Sequence, residues 1–239
     1  MSTSFPVRPR AAASLSRAPW LVAFGLCLPL PLMAQGGGLA ALYAPDPPPG
    51  SAFVRVVNAS DAGADVVFGS TTTPVRLPMP QSKQMASGYR VVASTQPARL
   101  QVNGKAVTVD VQPQAGSFVT WALMAQGGGT SVTVIKDELP PPNALRAVLR
   151  FTNLVPGCTA GLAQATGGDV FADVPAGQSK ARLIQPVRVN VVARCDQAVS
   201  APLQLPSLQP GDRYSLFVVG TPQSPVLRGQ ADTTEPLTP

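Results

Sequence analysis

Side chains that could carry out chemistry are few in this 239-residue chain, and histidine is absent. Ser-His-Asp and Cys-His hydrolases and His-ligated zinc sites all need an imidazole, so these classes are excluded. Ser82 and Lys83 are adjacent, as are Ser179 and Lys180. Neighbouring residues on a strand point to opposite faces, so neither lysine could deprotonate the serine beside it. We expect solvated turn residues at both places, and a protein that is not an enzyme.

Acidic and glycine-rich segments give no stronger signal for a metal or cofactor. Asp61 with Asp65, and Asp169 with Asp173, could be paired acids, but both pairs lie beside glycines and are typical of loops. The Gly-rich run at 126–129 lies between two β-like segments, whereas a phosphate-binding loop leads from a strand into a helix. The sequence therefore predicts no catalytic residue, no cofactor and no metal site.

An export signal precedes the rest of the chain. Arg8, Arg10 and Arg17 form a basic region before the apolar run at 20–33. The run is short for a membrane-spanning helix and contains two prolines, so we predict a cleaved signal peptide at 1–34 and an exported protein without membrane insertion. A retained anchor and a lipid anchor are the alternatives. Cleavage would lower the net charge from +6 to +3, which disfavours nucleic acid as a partner.

Two cysteines, Cys158 and Cys195, remain after this cleavage. In an oxidising compartment we expect them to form a disulfide bond. A reactive thiol or a metal-binding pair is the alternative, although two sulfurs without histidine make a poor metal site.

An internal repeat indicates how the chain is organised. AFVRVVN at 52–58 aligns with AVLRFTN at 147–153, and PMPQSK at 78–83 aligns with PAGQSK at 175–180. The separation is 95 to 97 positions, which predicts two tandem units. KDELPPPN at 136–143 lies between them and resembles a short stiff linker, in which Asp137 and Glu138 would be solvated.

Apolar residues alternate along many short segments separated by turn signals, a pattern typical of strands. We predict an all-β fold of two tandem antiparallel β-sandwiches, similar in size to immunoglobulin domains. The N-terminal sandwich with an extended tail would span 35–136, the Pro-rich linker 137–146 and the C-terminal sandwich 147–239. Within the repeat, Val54 and Val56 would face the core, and Arg55 and Arg150 the outer face.

Trp121 lies on a segment that is apolar on both faces, FVTWALM at 118–124. Burial in a core or a domain interface is the main interpretation, and an exposed sugar platform or a protein contact are the alternatives. Candidate partner contacts are Tyr43 near the mature N-terminus and the outward Phe53 and Arg55. Cover by the N-terminal tail is an alternative for Phe53.

One segment resembles a known family. ALYAPDPPPG at 41–50 continues into SAFVRVVNA at 51–59, and this is similar to the mature start of the AlgF family of alginate O-acetylation accessory proteins. Weaker similarity follows at AVLRFTNL (147–154), QPVRVN (185–190) and YSLFVVG (214–220).

The resemblance implies a periplasmic accessory protein needed for O-acetylation of a secreted exopolysaccharide, alginate by default and cellulose as the alternative. Its implied partners are a membrane O-acyltransferase complex and a periplasmic SGNH-type acetyltransferase, which it would link as an adaptor. The polysaccharide is a further candidate partner. Two other functions remain open: a carbohydrate-binding protein with an exposed aromatic row, and a pilus-type chaperone with a cleft between its domains.

Overall fold

The computed structural model describes residues 46–79, 84–141 and 143–235. Signal segment 1–34, Tyr43 and the first Ser-Lys pair lie outside these ranges. Every regular element in the described ranges is a β-strand, and none of them is a helix with the length and apolarity to cross a membrane.

Eight strands form the N-terminal half. They are β1 (Ser51–Asn58), β2 (Ala64–Phe68), β3 (Val75–Leu77), β4 (Arg90–Ala93), β5 (Leu100–Val102), β6 (Lys105–Ala106), β7 (Phe118–Gln126) and β8 (Gly129–Lys136). One sheet has the order β4-β1-β7-β8 and the other β3-β2-β5-β6. Alternation along β1 directs Val54 and Val56 between the sheets, where they pack with Trp121 and Phe68. Trp121 is fully buried there, so the core interpretation of this residue is the observed one.

Nine strands form the C-terminal half. They are β9 (Ala147–Asn153), β10 (Ala160–Gln164), β11 (Asp169–Val174), β12 (Gln178–Ile184), β13 (Asn190–Cys195), β14 (Ala198–Val199), β15 (Leu203–Gln204), β16 (Arg213–Thr221) and β17 (Ser224–Ala231). One sheet has the order β12-β9-β16-β17; the other has the order β11-β10-β13-β14, with β15 also paired to β13. The chain is therefore all-β, with two tandem sandwiches as predicted.

A disulfide bond lies inside the C-terminal core. Cys158 precedes β10 and Cys195 ends β13, and their Cα atoms are 5.6 Å apart. Both cysteines are buried among Phe151, Phe171 and Leu216. The bond ties the loop that enters the second sheet to a central strand of that sheet.

Each sandwich contains one parallel strand pair, which the sequence analysis did not predict. β1 pairs with β7, and β9 pairs with β16, in parallel. In both halves the connection between the two paired strands is long enough for the crossover that parallel pairing requires. A hairpin follows each pair, β7–β8 in one half and β16–β17 in the other.

The two halves pack directly against each other. Val57 and Ile135 of the first half form one buried cluster with Leu154, Phe217 and Val219 of the second. The outer faces of the sheets containing β1 and β9 therefore form a second apolar layer between the two sandwich cores.

The segment joining the halves is solvated only in part: Glu138, Pro141 and residues 143–146 are exposed, as its prolines suggested, but its start is not. Asp137 is buried, and Leu139 packs against Phe53, Tyr89 and Phe118. The prediction failed for Asp137 because prolines and neighbouring acids indicate exposure in general, whereas the start of this segment lies in the inter-half interface.

Candidate functional site

Seven polar side chains meet in the interface between the halves, and we call them the inter-half charge cluster. They come from four strands, the turn before β4 and the residues that follow β8 and β17: Arg55, Tyr89, Thr120, Asp137, Arg150, Ser215 and Asp232.

Strand alternation places the arginines of this cluster. Because Val54 and Val56 point into the first core, Arg55 points to the opposite face of β1. Arg150 occupies the same position in β9, between Leu149 and Phe151. The outer-face prediction was right for each sandwich taken alone, but the other sandwich covers that face, so only 2% of Arg55 and 1% of Arg150 is exposed.

The internal repeat generates most of the cluster. Arg55 corresponds to Arg150, Thr120 corresponds to Ser215, and Asp137 corresponds to Asp232, each pair separated by 95 positions. Both halves contribute a cation, a hydroxyl and a carboxylate at equivalent places. The interface therefore resembles that of a two-fold dimer whose subunits are joined in one chain.

Asp232 makes the direct hydrogen bonds to both arginines of the cluster. Its Oδ1 accepts hydrogen bonds from Arg55 Nη1 at 2.7 Å and from Ser215 Oγ at 2.6 Å. Its Oδ2 accepts one from Arg150 Nη1 at 2.7 Å. One carboxylate thus bridges the guanidinium groups of both halves.

Asp137 is held differently from its repeat equivalent. Its Oδ2 accepts hydrogen bonds from Thr120 Oγ1 at 2.6 Å and from the Tyr89 hydroxyl at 2.7 Å. Its Oδ1 lies 3.7 Å from Arg55 Nη2 and 3.5 Å from Arg150 Nε. These contacts are ion pairs, and none of these three atoms makes a hydrogen bond. Asp137 therefore meets the arginines at longer range, and Asp232 accepts the hydrogen bonds that they donate.

Tyr89 and Phe217 close the cluster with aromatic faces. The Arg55 guanidinium carbon lies 4.8 Å from the ring centre of Tyr89 and 5.0 Å from that of Phe217. These are cation–π distances, and each ring comes from a different half.

The charges shift the pKa values of the buried groups. Burial by itself lowers the pKa of Arg55, but Tyr89, Asp232 and Asp137 outweigh it, and the pKa of Arg55 is raised. Burial by itself raises the pKa of Asp232, but Arg55 and Arg150 outweigh it and hold the pKa of Asp232 below its ordinary value. Burial raises the pKa of the Tyr89 hydroxyl well above its ordinary value.

Taken together, two arginines and two aspartates give this buried cluster a net charge of zero. Both carboxylates and both guanidinium groups are engaged with each other, so the arrangement can hold the halves together and fix their orientation. Within the described parts of the chain, no three His, Cys, Asp or Glu side chains group as metal ligands would.

Two of the predicted partner contacts are not at the surface. Phe53 packs against Phe118 and Tyr89, with the Phe53 and Phe118 ring centres 5.1 Å apart, and Arg55 lies in the charge cluster. Their predicted outward exposure is wrong because the other half and the joining segment cover the outer face of β1. Tyr43 lies outside the described residues.

The second Ser-Lys pair belongs to a strand, not to a turn. Ser179 and Lys180 lie in β12; the Ser179 hydroxyl donates to the Lys136 carbonyl, and the Lys180 ammonium donates to the carbonyls of Ala172 and Asp173. The two side chains point in different directions, as the strand geometry predicted.

Aromatic residues of the described ranges are largely internal. Trp121 and Tyr89 are buried, and Tyr214 is partly buried against the C-terminal core. The exposed row that a sugar platform needs is not formed by these three residues.

Sequence reasoning missed Tyr89, Thr120, Asp137, Ser215 and Asp232. A signal was present for the last four, because the separation of 95 positions that matches Arg55 to Arg150 also pairs Thr120 with Ser215 and Asp137 with Asp232. Single polar residues at strand positions and strand ends do not stand out unless the repeat is extended to every position.

The fold and the cluster define a class of protein: a tandem β-sandwich whose two repeats are joined through a buried, charge-balanced interface. The chain belongs to the AlgF family, because the family model described as "Alginate O-acetyl transferase AlgF" matches residues 25–215.

Two relatives with similar sequences agree with this assignment. The chain is 32% identical over 203 residues to "Alginate biosynthesis protein AlgF" of Pseudomonas aeruginosa, covering 84% of this chain and 87% of the relative. It is 30% identical to the protein of the same name from Pseudomonas putida, covering 80% and 83%. A solved C-terminal domain of AlgF from P. aeruginosa matches 36% of this chain and 98% of that domain, with 27% identity and a TM-score of 0.33.

Proposed function

We propose that this chain is a periplasmic, non-catalytic adaptor required for O-acetylation of a secreted exopolysaccharide, with alginate as the polymer. It would link a membrane O-acyltransferase to SGNH-type acetyltransferases. Membership of a family whose relatives are named for alginate biosynthesis supports the pathway.

The observation that carries the non-catalytic part of the proposal is the state of the ionisable side chains. The densest set of them is buried, neutral overall and consumed in joining the halves. An acid or base that works on a substrate must reach that substrate, whereas Asp232 and Arg150 reach each other. The full chain also has no histidine to act as a general base near neutral pH.

The inter-half packing supports an adaptor over a pilus-type chaperone. A pilus-type chaperone needs an open cleft between its sandwiches, and here Phe217 and Ile135 fill that space. A fused pair of sandwiches instead offers a broad surface with a fixed spacing between its two ends, which suits the joining of two proteins.

Deletion of the gene tests this proposal. We expect the secreted polymer to lose its acetyl groups while its yield stays normal, as measured by NMR of the purified polymer and by uronic acid content. An Asp65→Asn variant, altered only at an exposed ion pair with Arg76, should restore acetylation when supplied on a plasmid. Unchanged acetyl content in the deletion strain would refute the proposal.

A further inference from the structure

Edge strand β8 presents unpaired backbone groups along most of its length. β8 runs from Gly129 to Lys136 and pairs only with β7. Gln126 and Gly129 flank the two-residue turn, and the Asp137 N–H donates to the Phe118 carbonyl at 2.9 Å. These two points fix which residues of β8 bond to β7.

The resulting alternation separates β8 into two sets. Ser131, Thr133 and Ile135 bond to β7, so Thr130, Val132 and Val134 point their N–H and C=O groups away from the sheet. In the described part of the chain these outward groups have no backbone partner. These three alternate residues form a row of free N–H and C=O groups onto which another strand can add.

The C-terminal half closes the equivalent edge. In β17 the position that corresponds to Thr130 is Pro225, which pairs with Gly220 as Thr130 pairs with Ala125. Proline has no N–H and is a common device that stops strand addition at an edge. The two hairpins otherwise share length and register, so the absence of proline is a difference specific to β8.

Side chains cover part of the β11 edge, which belongs to the other sheet of the C-terminal half. The Lys180 ammonium and the Arg182 guanidinium, both from β12, donate to carbonyl groups of β11, including Val170 O. β4 is four residues long. β8 is therefore a long edge without proline, and the side-chain contact to it from Ser179 lies at its last residue, Lys136, beyond Thr130, Val132 and Val134.

We propose that the β8 edge binds an extended strand of the periplasmic acetyltransferase, which would add to the β4-β1-β7-β8 sheet. This rests on the proposed function and assigns a surface to it. The incoming strand would place apolar side chains beside Val132 and Val134, which pack on the N-terminal core, and polar ones beside Ser131 and Thr133.

Charge favours a different protein over a second copy as the occupant. β12 lies against β8, where Ser179 Oγ donates to the Lys136 carbonyl at 3.2 Å. Exposed Lys136, Lys180 and Arg182 outnumber the exposed acids Glu138 and Asp173 on this side. Two copies joined edge to edge would bring like charges together, whereas a strand with acidic residues would be attracted.

Thr130→Pro tests the proposal, because it introduces the residue found at the equivalent position of β17 and removes no hydrogen bond to β7. The probe is the purified acetyltransferase, immobilised, with the exported chain in solution. We expect Thr130→Pro to weaken binding by about tenfold or more, through one lost hydrogen bond and a steric block. Thr130→Val, which keeps the N–H, should bind as the wild type does.

Amide hydrogen exchange gives an independent readout that does not depend on a variant. On binding, the Thr130, Val132 and Val134 amides should become protected, while those of Ser131 and Thr133 are protected already. The inference would be overturned, and the adaptor proposal left standing, if Thr130→Pro bound normally and the wild-type amides showed no added protection on binding. No binding by the wild type would overturn both, and a wild-type dimer with the same amides protected would identify a second copy as the occupant.

Discussion

Replacement of Asp232 by asparagine should weaken the interface between the two halves and lower the free energy of unfolding. Asp232 accepts hydrogen bonds from Arg55 and Arg150, both at 2.7 Å, and from Ser215 at 2.6 Å. An asparagine keeps the shape but removes the charge, so two buried guanidinium groups would share one carboxylate, that of Asp137. Removing one partner of a buried ion pair costs about 3–5 kcal/mol.

The expected loss is large enough to measure by thermal or urea unfolding. For a chain of this size, about 3–5 kcal/mol lowers Tm by roughly 6–20 °C. We also expect the halves to unfold in two steps, because each keeps its own core. Asp65→Asn is the matched control: its ion pair with Arg76 is exposed, and it should cost less than about 1 kcal/mol.

A second substitution tests the electrostatic reasoning. Adding Arg55→Met to Asp232→Asn leaves Arg150 with Asp137, a neutral pair. The double variant should therefore lose less stability than the sum of the single variants. The reasoning is refuted if Asp232→Asn is no more destabilising than Asp65→Asn, or if the two cluster substitutions are additive.

Three further predictions follow from the same structure. Because the pKa of Asp232 is lowered, the ionised carboxylate should stabilise the fold above about pH 4, the ordinary range of an aspartate, and this stabilisation should be lost as pH falls further. The urea midpoint of Asp232→Asn should therefore decrease less than that of the wild type when the pH is lowered. Because the pKa of Tyr89 is raised, stability should decline above about pH 10, where the unfolded tyrosine ionises first, and Tyr89→Phe should flatten that decline. Replacing Cys158 and Cys195 by serine should cost about 3–4 kcal/mol of unfolding free energy, and intact mass should rise by two hydrogens when the wild type is reduced.

The local pattern of the sequence was enough to predict the strands and the two cores. Val54 and Val56 face the first core because strand alternation leaves no other arrangement for VRV within β1. Trp121 is internal because its neighbours are apolar on both faces of the strand. Both inferences rest on residues close together in the chain.

The interface between the halves could not be predicted in the same way. An arginine between two valines indicates an exposed strand face, and only the presence of a second sandwich on that face makes Arg55 a buried residue. Asp137 was also expected to be exposed, because the prolines and a neighbouring glutamate suggested a solvated linker, and it is buried. Contacts between repeats depend on how two folded sheets meet, and that is not encoded in the periodicity of either sheet.

The internal repeat gives a physical reason for the cluster. A single sandwich with an arginine, a hydroxyl and an aspartate on one face is self-complementary about a two-fold axis. Fusing two such units keeps the pairing and allows each half to diverge elsewhere, as the Thr130 and Pro225 positions have done. The cluster is thus the shared part of the two repeats, and the sheet edges are where they differ.

Reconstitution of the complex tests the adaptor account most directly. The exported chain, the SGNH-type acetyltransferase and the detergent-solubilised membrane O-acyltransferase would be mixed in pairs and together, and complex masses measured by light scattering after size-exclusion chromatography. The account predicts one complex of all three proteins, which forms only when this chain is present. A complex of the two acyl-transfer proteins that forms equally well without the chain would contradict it.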